Sequence, residues 1–290
     1  MHPRYDRRFL LKLAAAGAAA AALPAFAGDE FRIRAQPRGG IPVAFLLSHG
    51  AVVIDFAGPW EVFQDVRDFS RGDDVDEVVA FRPFTVARTK EPIVTSGGLT
   101  IVPNHTFATA PQPRLIVIPA QIGAGDEDVA WIREAGAGAN LVMSVCAGAF
   151  LLARTGLLDG KSATTHHAAF TTFEQAFPNI KLERDKRFVD HGKVATSAGL
   201  SAGIDLALHV VSRYFGVETA AQTARTLEYP SDGWRSPQLR DSQSRDQVEP
   251  EPAAKGEGYV CPPCGCAADG RLFKKPGKCP ACGMVLIKKD

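Results

Sequence analysis

Short apolar runs alternate with stretches of helical periodicity along most of this chain. Four runs of strand-forming residues predict strands at residues 42–47, 84–87, 115–118 and 140–145. Two segments in which β-type residues flank glycine-containing turns predict hairpins at residues 93–102 and 188–194. The first three quarters of the chain are therefore expected to contain many short strands.

Helical spacing of apolar residues predicts helices between these strands, at residues 126–135, 147–153, 200–215 and 217–227. Pro59 suits the first turn of a further helix, because its missing N–H has no helical partner there. Trp60, Val62, Phe63 and Val66 follow Pro59 at helical spacing.

The alternation of strands and helices predicts an α/β fold, with a mostly parallel sheet covered by helices on both faces. In such sheets, ligands bind beyond the carboxyl ends of the strands. Asp55, residues 119–120 and Cys146 all follow predicted strands. We therefore expect them to meet at one crevice.

Cys146 lies where the strand at 140–145 ends and the next helix begins, with Gly148 two residues later. A strand-to-helix turn this tight favours a residue without a Cβ, and the arrangement is similar to a nucleophile elbow. The unpaired N–H groups and the dipole of a helix N-terminus favour a thiolate, which is the reactive form of cysteine. The alternative is a small buried cysteine that packs in the core.

The N-terminus has the features of an export signal. Arg7 and Arg8 precede an apolar, alanine-rich stretch, and Ala25-Phe26-Ala27 fits a cleavage site. The pattern is similar to a twin-arginine signal over residues 1–27, and a plain Sec signal is the alternative. We expect a periplasmic or secreted protein with no membrane segment after cleavage.

Composition and charge fit an ordinary globular protein. The 290 residues are 46% hydrophobic and 22% charged. Removal of the signal would take four basic residues and one acidic residue from 33 Lys+Arg and 32 Asp+Glu, leaving a net charge of about −2. This balance gives no electrostatic case for nucleic-acid binding.

Four segments resemble the ThiJ/PfpI superfamily when they are taken together: residues 55–63, 144–150, 163–166 and 196–207. Within it, the chain is most similar to isocyanide hydratases and to the sensor domains of AraC-type regulators. The resemblance covers about residues 41–228. It implies a flavodoxin-like three-layer sandwich, a homodimer and a reactive cysteine near an acid.

Carried over by position, the resemblance makes Cys146 the nucleophile and Asp55 the acid that moves protons. Asp55 could instead cap the helix that follows it. Glu61, one turn further along, is the alternative acid, or else a solvated surface residue. His166 could line the pocket as an acid or base, or merely pack.

Two positions depart from the family pattern. Ala120 stands where the family often has a glycine whose N–H shapes the oxyanion site, and Ala147 stands where the hydratase branch tends to have a hydroxyl residue. Both departures weaken an assignment to isocyanides specifically.

The end of the chain differs in character from the rest. Residues 229–258 are polar and proline-rich, so we interpret most of them as a linker, part of which could wrap the main domain by docking Trp234 and Leu239 on it. In residues 259–290, Cys261, Cys264, Cys279 and Cys282 have the spacing of two zinc-binding knuckles, and Cys266 is an alternative ligand. This tail resembles a small heavy-metal-binding domain.

The tail predicts a structural zinc, because so short a segment cannot form a stable core without a metal or a cross-link. Copper or another soft metal is a second possibility, and disulfides are the alternative to a metal. Two functions remain open. One is a cysteine-dependent hydratase or hydrolase acting on a small electrophile. The other is a non-catalytic stress or small-molecule-binding protein with Cys146 as a redox sensor.

Overall fold

The computed structural model describes residues 39–68, 78–236, 258–261, 272–279 and 285–289. The predicted signal, most of the predicted linker, and Cys264, Cys266 and Cys282 lie outside these residues. In the part of the chain that is described, no helix is long and apolar enough to cross a membrane.

Seven strands form the central sheet, in the order β10-β11-β7-β6-β1-β2-β5. They are β1 (Ile41–Leu46), β2 (Phe81–Ala87), β5 (His105–Thr106), β6 (Leu115–Ile118), β7 (Leu141–Val145), β10 (Phe188–Asp190) and β11 (Val194–Ser197). Every neighbouring pair is parallel except β10 and β11. The mostly parallel sheet predicted from the sequence is confirmed.

Two small sheets accompany the central one. Strands β3 (Ile93–Val94) and β4 (Thr100–Ile101) form an antiparallel hairpin, as predicted. Strands β8 (Ser162–Ala163) and β9 (Lys181–Leu182) pair in parallel.

Among the described residues, six helices cover the sheet: α1 (Val53–Asp65), α2 (Asp126–Ala137), α3 (Gly148–Arg154), α4 (Phe170–Ala176), α5 (Ala202–Phe215) and α6 (Val217–Thr226). Alternate residues of β1 point to opposite faces of the sheet. Val43 and Phe45 join a core with α1, α5 and α6, whereas Ala44 and Leu46 join a core with α2, α3 and α4. The protein thus has the flavodoxin-like three-layer sandwich that was predicted.

The start of α1 was predicted incorrectly. The helix begins at Val53, so Pro59 lies inside it rather than in its first turn. The burial of Phe56 and the neighbouring apolar residues compensates for the hydrogen bond that Pro59 cannot donate. This earlier start places Asp55 within the first turn of the helix.

Helix α4 was absent from the prediction. Its sequence, Phe-Thr-Thr-Phe-Glu-Gln-Ala, has weak helix propensity because of its β-branched and aromatic residues. Phe173 is completely buried against Phe150 and Phe177, and this packing holds the helix. Tertiary contacts therefore decide the conformation of this segment.

The packed domain extends beyond α6 into the segment predicted to be a linker. Residues 229–236 fold against the domain, and Trp234 is buried in its core. Further along, β12 (Gly258–Val260), β13 (Leu272–Phe273) and β14 (Ile287–Lys289) form a separate antiparallel sheet in the order β13-β12-β14.

Candidate active site

Cys146 lies directly after β7 with a φ of 58°, in the left-handed region that non-glycine residues rarely adopt. Its N–H donates to the carbonyl of Ala198 at 3.2 Å, and its own carbonyl accepts from the Thr165 hydroxyl at 2.9 Å. These bonds hold a conformation that costs about 1 kcal/mol or more. The strained turn directs a completely buried thiol toward α1.

Gly148 permits this turn. A Cβ at this position would lie 2.1 Å from the carbonyl oxygen of Ile118 and 2.9 Å from that of Pro119. Both are main-chain atoms of the neighbouring strand and its exit, so they cannot rotate away. The need for a residue without a side chain, predicted from the sequence, is confirmed by this close approach.

Asp55 faces the thiol from the first turn of α1. Its side chain is completely buried, and its Oδ2 accepts a hydrogen bond from the Ala120 N–H at 3.1 Å. Its Oδ1 is buried without a hydrogen-bond partner among the described residues, and the Cys146 thiol and the Leu200 N–H lie close enough to the carboxyl to lower its pKa. The structure therefore brings Asp55, Ala120 and Cys146 together, as the positions of the strand ends predicted.

Burial raises the pKa of both Asp55 and Cys146. Burial raises the pKa of Asp55 to about 7, although the N–H groups of Ala120 and Leu200 and the Cys146 thiol oppose the shift. Burial, and then the negative charge of Asp55, raise the pKa of Cys146 well above its ordinary value. The N–H groups of Ala147 and Leu200 lower this pKa but do not outweigh the other two effects.

The helix N-terminus predicts a resting thiolate, whereas the complete burial of the sulfur beside a carboxyl group raises the pKa of Cys146 and opposes it. With a pKa of about 7, Asp55 can either hold or release a proton near neutral pH. The thiol proton thus has a neighbouring acceptor when a substrate engages the sulfur.

Two groups at the site were missed in the sequence. Leu200, at a φ of 53°, presents its N–H to both Asp55 and Cys146. Thr165 anchors the Cys146 carbonyl. A main-chain N–H donor cannot be recognised from the type of residue that carries it. The sequence singled out Thr165 only as part of the segment at residues 163–166.

His166 is buried close to the Leu200 turn. Its Nδ1 accepts a hydrogen bond from the Ala168 N–H at 3.2 Å. A Cβ on Gly199 would lie 2.1 Å from Cδ2 of the imidazole, so the ring packs directly on this glycine. His166 thus supports the wall that carries Leu200.

Glu61 lies elsewhere on α1 and lines a different cavity. This cavity, of about 340 Å³, is bordered by Phe56, Ala57, Trp60, Glu61, Thr85, Ile101, Val102 and Asn104. Glu61 is exposed and accepts a hydrogen bond from Gln64. On an α-helix, residues 60 and 61 lie on a different side from Asp55. The structure does not bring Glu61 to Cys146.

The tail is described only in part. Cys261 and Cys279 are both buried in one small cluster with Leu286, packed against Tyr259 and Phe273. The described residues contain no group of three or more His, Cys, Asp or Glu side chains that could hold a metal. The remaining predicted ligands are outside these residues.

Comparison with known proteins shows the family of this chain. A profile of the DJ-1/PfpI family matches residues 42–213. The isonitrile hydratase of Pseudomonas putida is 31% identical over 195 residues, which span 65% of this chain and 78% of that enzyme. The HTH-type transcriptional regulator GbdR of Pseudomonas aeruginosa is 25% identical over 198 residues, spanning 67% of this chain and 52% of the regulator.

Solved structures with the same fold support the family assignment. A THiJ/PfpI family protein from Pseudomonas syringae superposes with a TM-score of 0.57 and 27% identity, covering 74% of this chain and 84% of that protein. Drosophila melanogaster DJ-1beta superposes with a TM-score of 0.56 at 19% identity and shares the fold.

Proposed function

Since this chain belongs to the DJ-1/PfpI family, we propose that it is a cysteine-dependent hydratase that acts on a small isonitrile-like electrophile. The observation that carries the proposal is the buried contact between Cys146 and Asp55, whose pKa is raised to about 7. The identity with isonitrile hydratase over most of the domain supports the same class of reaction.

The first step would join the thiol to the terminal carbon of the isonitrile. The sulfur forms an S–C bond, Asp55 accepts the thiol proton, and the same proton passes to the substrate carbon. The product of this step is a thioimidate, S–CH=N–R. Complete burial of Cys146 favours a substrate with a narrow reacting end, which an isonitrile provides.

The second step would release the product. Water adds to the C=N carbon, a proton moves to nitrogen, and the C–S bond then breaks to give an N-substituted formamide. The hydroxyl proton returns through Asp55 to the sulfur. The N–H groups of Ala147 and Leu200, which favour the charged sulfur, would stabilise the thiolate as it leaves.

The test is turnover by the full chain of a simple alkyl isonitrile, with formamide measured by chromatography. Cys146→Ala should reduce the rate to background, and Asp159→Asn, at an exposed carboxyl, should leave it unchanged. Hydration by Cys146→Ala at the wild-type rate would end the proposal.

A second candidate is binding without turnover, and the similarity of the same domain to a transcriptional regulator favours it. In this case Cys146 would serve as a sensor. Saturable binding of small molecules with no formamide release, together with selective peroxide oxidation of Cys146, would support it over the hydratase.

We also propose that the tail binds zinc as a structural element. Burial of Cys261 and Cys279 in one cluster supports a shared site, since the two knuckles are far apart in sequence. Native mass spectrometry should find one zinc per chain. Its loss in Cys279→Ser, with isonitrile turnover unaffected, would separate the tail from the catalytic domain.

We also propose that the protein forms a homodimer. Large apolar side chains are exposed near the start of α1 and around the β3–β4 hairpin, and a second copy could cover them: Ile54, Val94, Leu99, Val102 and Ile122. Light scattering should give the mass of two chains, and Val102→Asp should shift it toward one.

A further inference from the structure

The turn at residues 199–201 carries a main-chain donor to the reacting groups, and its carbonyls accept hydrogen bonds at 3.0–3.1 Å from the N–H groups of residues 202–204 at the start of α5. Leu200 adopts a φ of 53°, which is unfavourable for a leucine, and its N–H faces Asp55 and Cys146. The backbone conformation of this one residue determines the direction of the N–H. Contacts from outside the turn that act on this residue therefore add to the bonds with α5 in fixing that direction.

Arg187 connects this turn to a buried carboxylate. One guanidinium nitrogen, Nη2, donates to the Ser201 hydroxyl at 3.3 Å, and Nε donates to Oδ2 of Asp205. The Asp205 side chain is completely buried, and that of Arg187 is 18% exposed. Because a guanidinium is rigid and planar, its bond to Asp205 fixes the nitrogen that reaches Ser201.

The segment after α6, residues 229–235, closes over Asp205 from the other side, and we call it the clasp. The Tyr229 hydroxyl donates to Oδ1 of Asp205 at 3.2 Å, and the Ser231 hydroxyl lies 3.5 Å from the same oxygen. A Cβ on Gly233 would lie 3.0 Å from Oδ2 of Asp205. The clasp therefore fits tightly around this carboxylate.

The ends of the clasp are anchored. Glu228, with a φ of 49°, reverses the chain directly after α6, and the Tyr229 N–H bonds back to the Ala224 carbonyl at 2.9 Å. Trp234 is 3% exposed in the core, and the Arg235 guanidinium stacks on its ring at 4.2 Å. The clasp is thus a fixed part of the domain.

We propose that the clasp, acting through Asp205 and Arg187, positions the Leu200 N–H against Cys146, so that Arg187 and Tyr229 are positioning residues for the reaction. This rests on the proposed function, in which the Leu200 N–H stabilises the sulfur anion. None of these side chains touches the reacting atoms. They act by fixing the backbone of the turn.

The electrostatics of Asp205 explain why several donors are needed. Burial raises its pKa, and the charge and hydrogen bond of Arg187, followed by the hydroxyls of Tyr229 and Ser231, offset part of this shift. Loss of one donor would weaken the pairing that holds Arg187 in place.

The test combines kinetics with thiol reactivity in the full chain. Ser201→Ala cuts the link between Arg187 and the turn while leaving the ion pair intact, and Arg187→Met removes both. We expect kcat for isonitrile hydration to fall about threefold in Ser201→Ala and about tenfold in Arg187→Met, with KM changed less than about twofold. Alkylation of Cys146 by iodoacetamide, followed by peptide mass spectrometry, should slow by similar factors.

Tyr229→Phe and Tyr214→Phe form a matched pair. Tyr229 bonds to Asp205, whereas the Tyr214 hydroxyl is 3.4 Å from the Asn140 side-chain amide, away from the turn. Only Tyr229→Phe should slow alkylation. Because alkylation needs no turnover, it tests the clasp even if the protein hydrates no isonitrile. Unchanged or faster alkylation in folded Ser201→Ala and Arg187→Met would overturn the proposal, as would an equal effect of Tyr214→Phe.

Discussion

Asp55, which is completely buried, and Asp190, whose side chain is 10% exposed, are carboxyl groups of one domain whose pKa values move in opposite directions. Burial raises the pKa of Asp55 to about 7, because its partners are main-chain N–H groups and a thiol. Burial alone would raise the pKa of Asp190. The His209 hydrogen bond and the Arg213 charge lower it by more, so the pKa lies below its ordinary value. A buried acid without a cationic partner can exchange a proton near neutral pH, whereas a paired one stabilises the fold.

The contacts of Asp190 show why this carboxyl group stabilises the fold. Arg213 Nη1 lies 3.1 Å and His209 Nε2 3.0 Å from its Oδ2. The Gly192 N–H donates to Oδ1 at 2.8 Å, and Arg213 also reaches the Gly192 carbonyl. This network fastens α5 to the β10–β11 hairpin. The four predictions below test the difference between the two acids.

The largest effect is expected on catalysis. Asp55→Asn keeps the shape and the contact with Ala120 but cannot exchange a proton, so isonitrile turnover should fall about 10³-fold. Single-turnover assays would measure it, with exposed Asp159→Asn as the control. Retention of more than a tenth of the rate would remove Asp55 from the mechanism.

Removal of the cation from Asp190 should have the largest effect on stability. Arg213→Met leaves a buried carboxylate with a half-buried histidine, so the free energy of unfolding should drop by about 3 kcal/mol. Arg133→Met is the matched control, because the partners of Arg133 among the described residues are the main-chain carbonyls of Thr155 and Arg154. Urea denaturation that finds equal losses in both variants would contradict the structural role of the pair.

The two acids should also differ in the pH dependence of stability. Between about pH 4 and pH 7, the folded state keeps the Asp55 proton that the unfolded chain releases, so Asp55 lowers stability as the pH rises. Asp55→Asn should therefore gain stability relative to its parent over this range, by about 4 kcal/mol at pH 7.

Asp190 has the opposite effect on the pH dependence of stability. Because its pKa is lowered, its contribution is present above about pH 4 and is lost on acidification. The cost of Asp190→Asn should therefore shrink on acidification below about pH 4 and stay level above it. Unfolding at about pH 3, pH 5 and pH 8, with all proteins carrying Cys146→Ala to remove thiol titration, would measure both trends, since Asp190 acts between the first two values and Asp55 between the last two. Parallel curves for the two substitutions would refute the distinction.

The smallest effect is expected at His209. His209→Gln removes one of two side-chain partners of Asp190 and leaves Arg213 in place, so the loss should be about 1 kcal/mol. His105→Gln, at a ring that packs on Phe84, serves as the comparison. A loss as large as that of Arg213→Met would show that the histidine dominates the pairing.

The order of strands and helices could be predicted from sequence because hydrophobic periodicity is local. Residues 115–118 are a continuous apolar run, and β6 occupies the same four residues. The hairpins at Gly97 and Gly192 follow from turn chemistry. Helix α4 and the early start of α1 could not be predicted, because packing rather than propensity holds Phe173 and the residues before Pro59.

The sequence by itself determined the α/β architecture, the elbow at Cys146 and the need for glycine at 148, since these depend on periodicity and on local sterics. It also placed Asp55 at a strand end beside the thiol. Only the tertiary structure decided the protonation of that pair, because a pKa depends on burial and on partners distant in sequence. The donor at Leu200 and the clasp around Asp205 were likewise decided by packing, which brings main-chain groups to positions that residue type does not reveal.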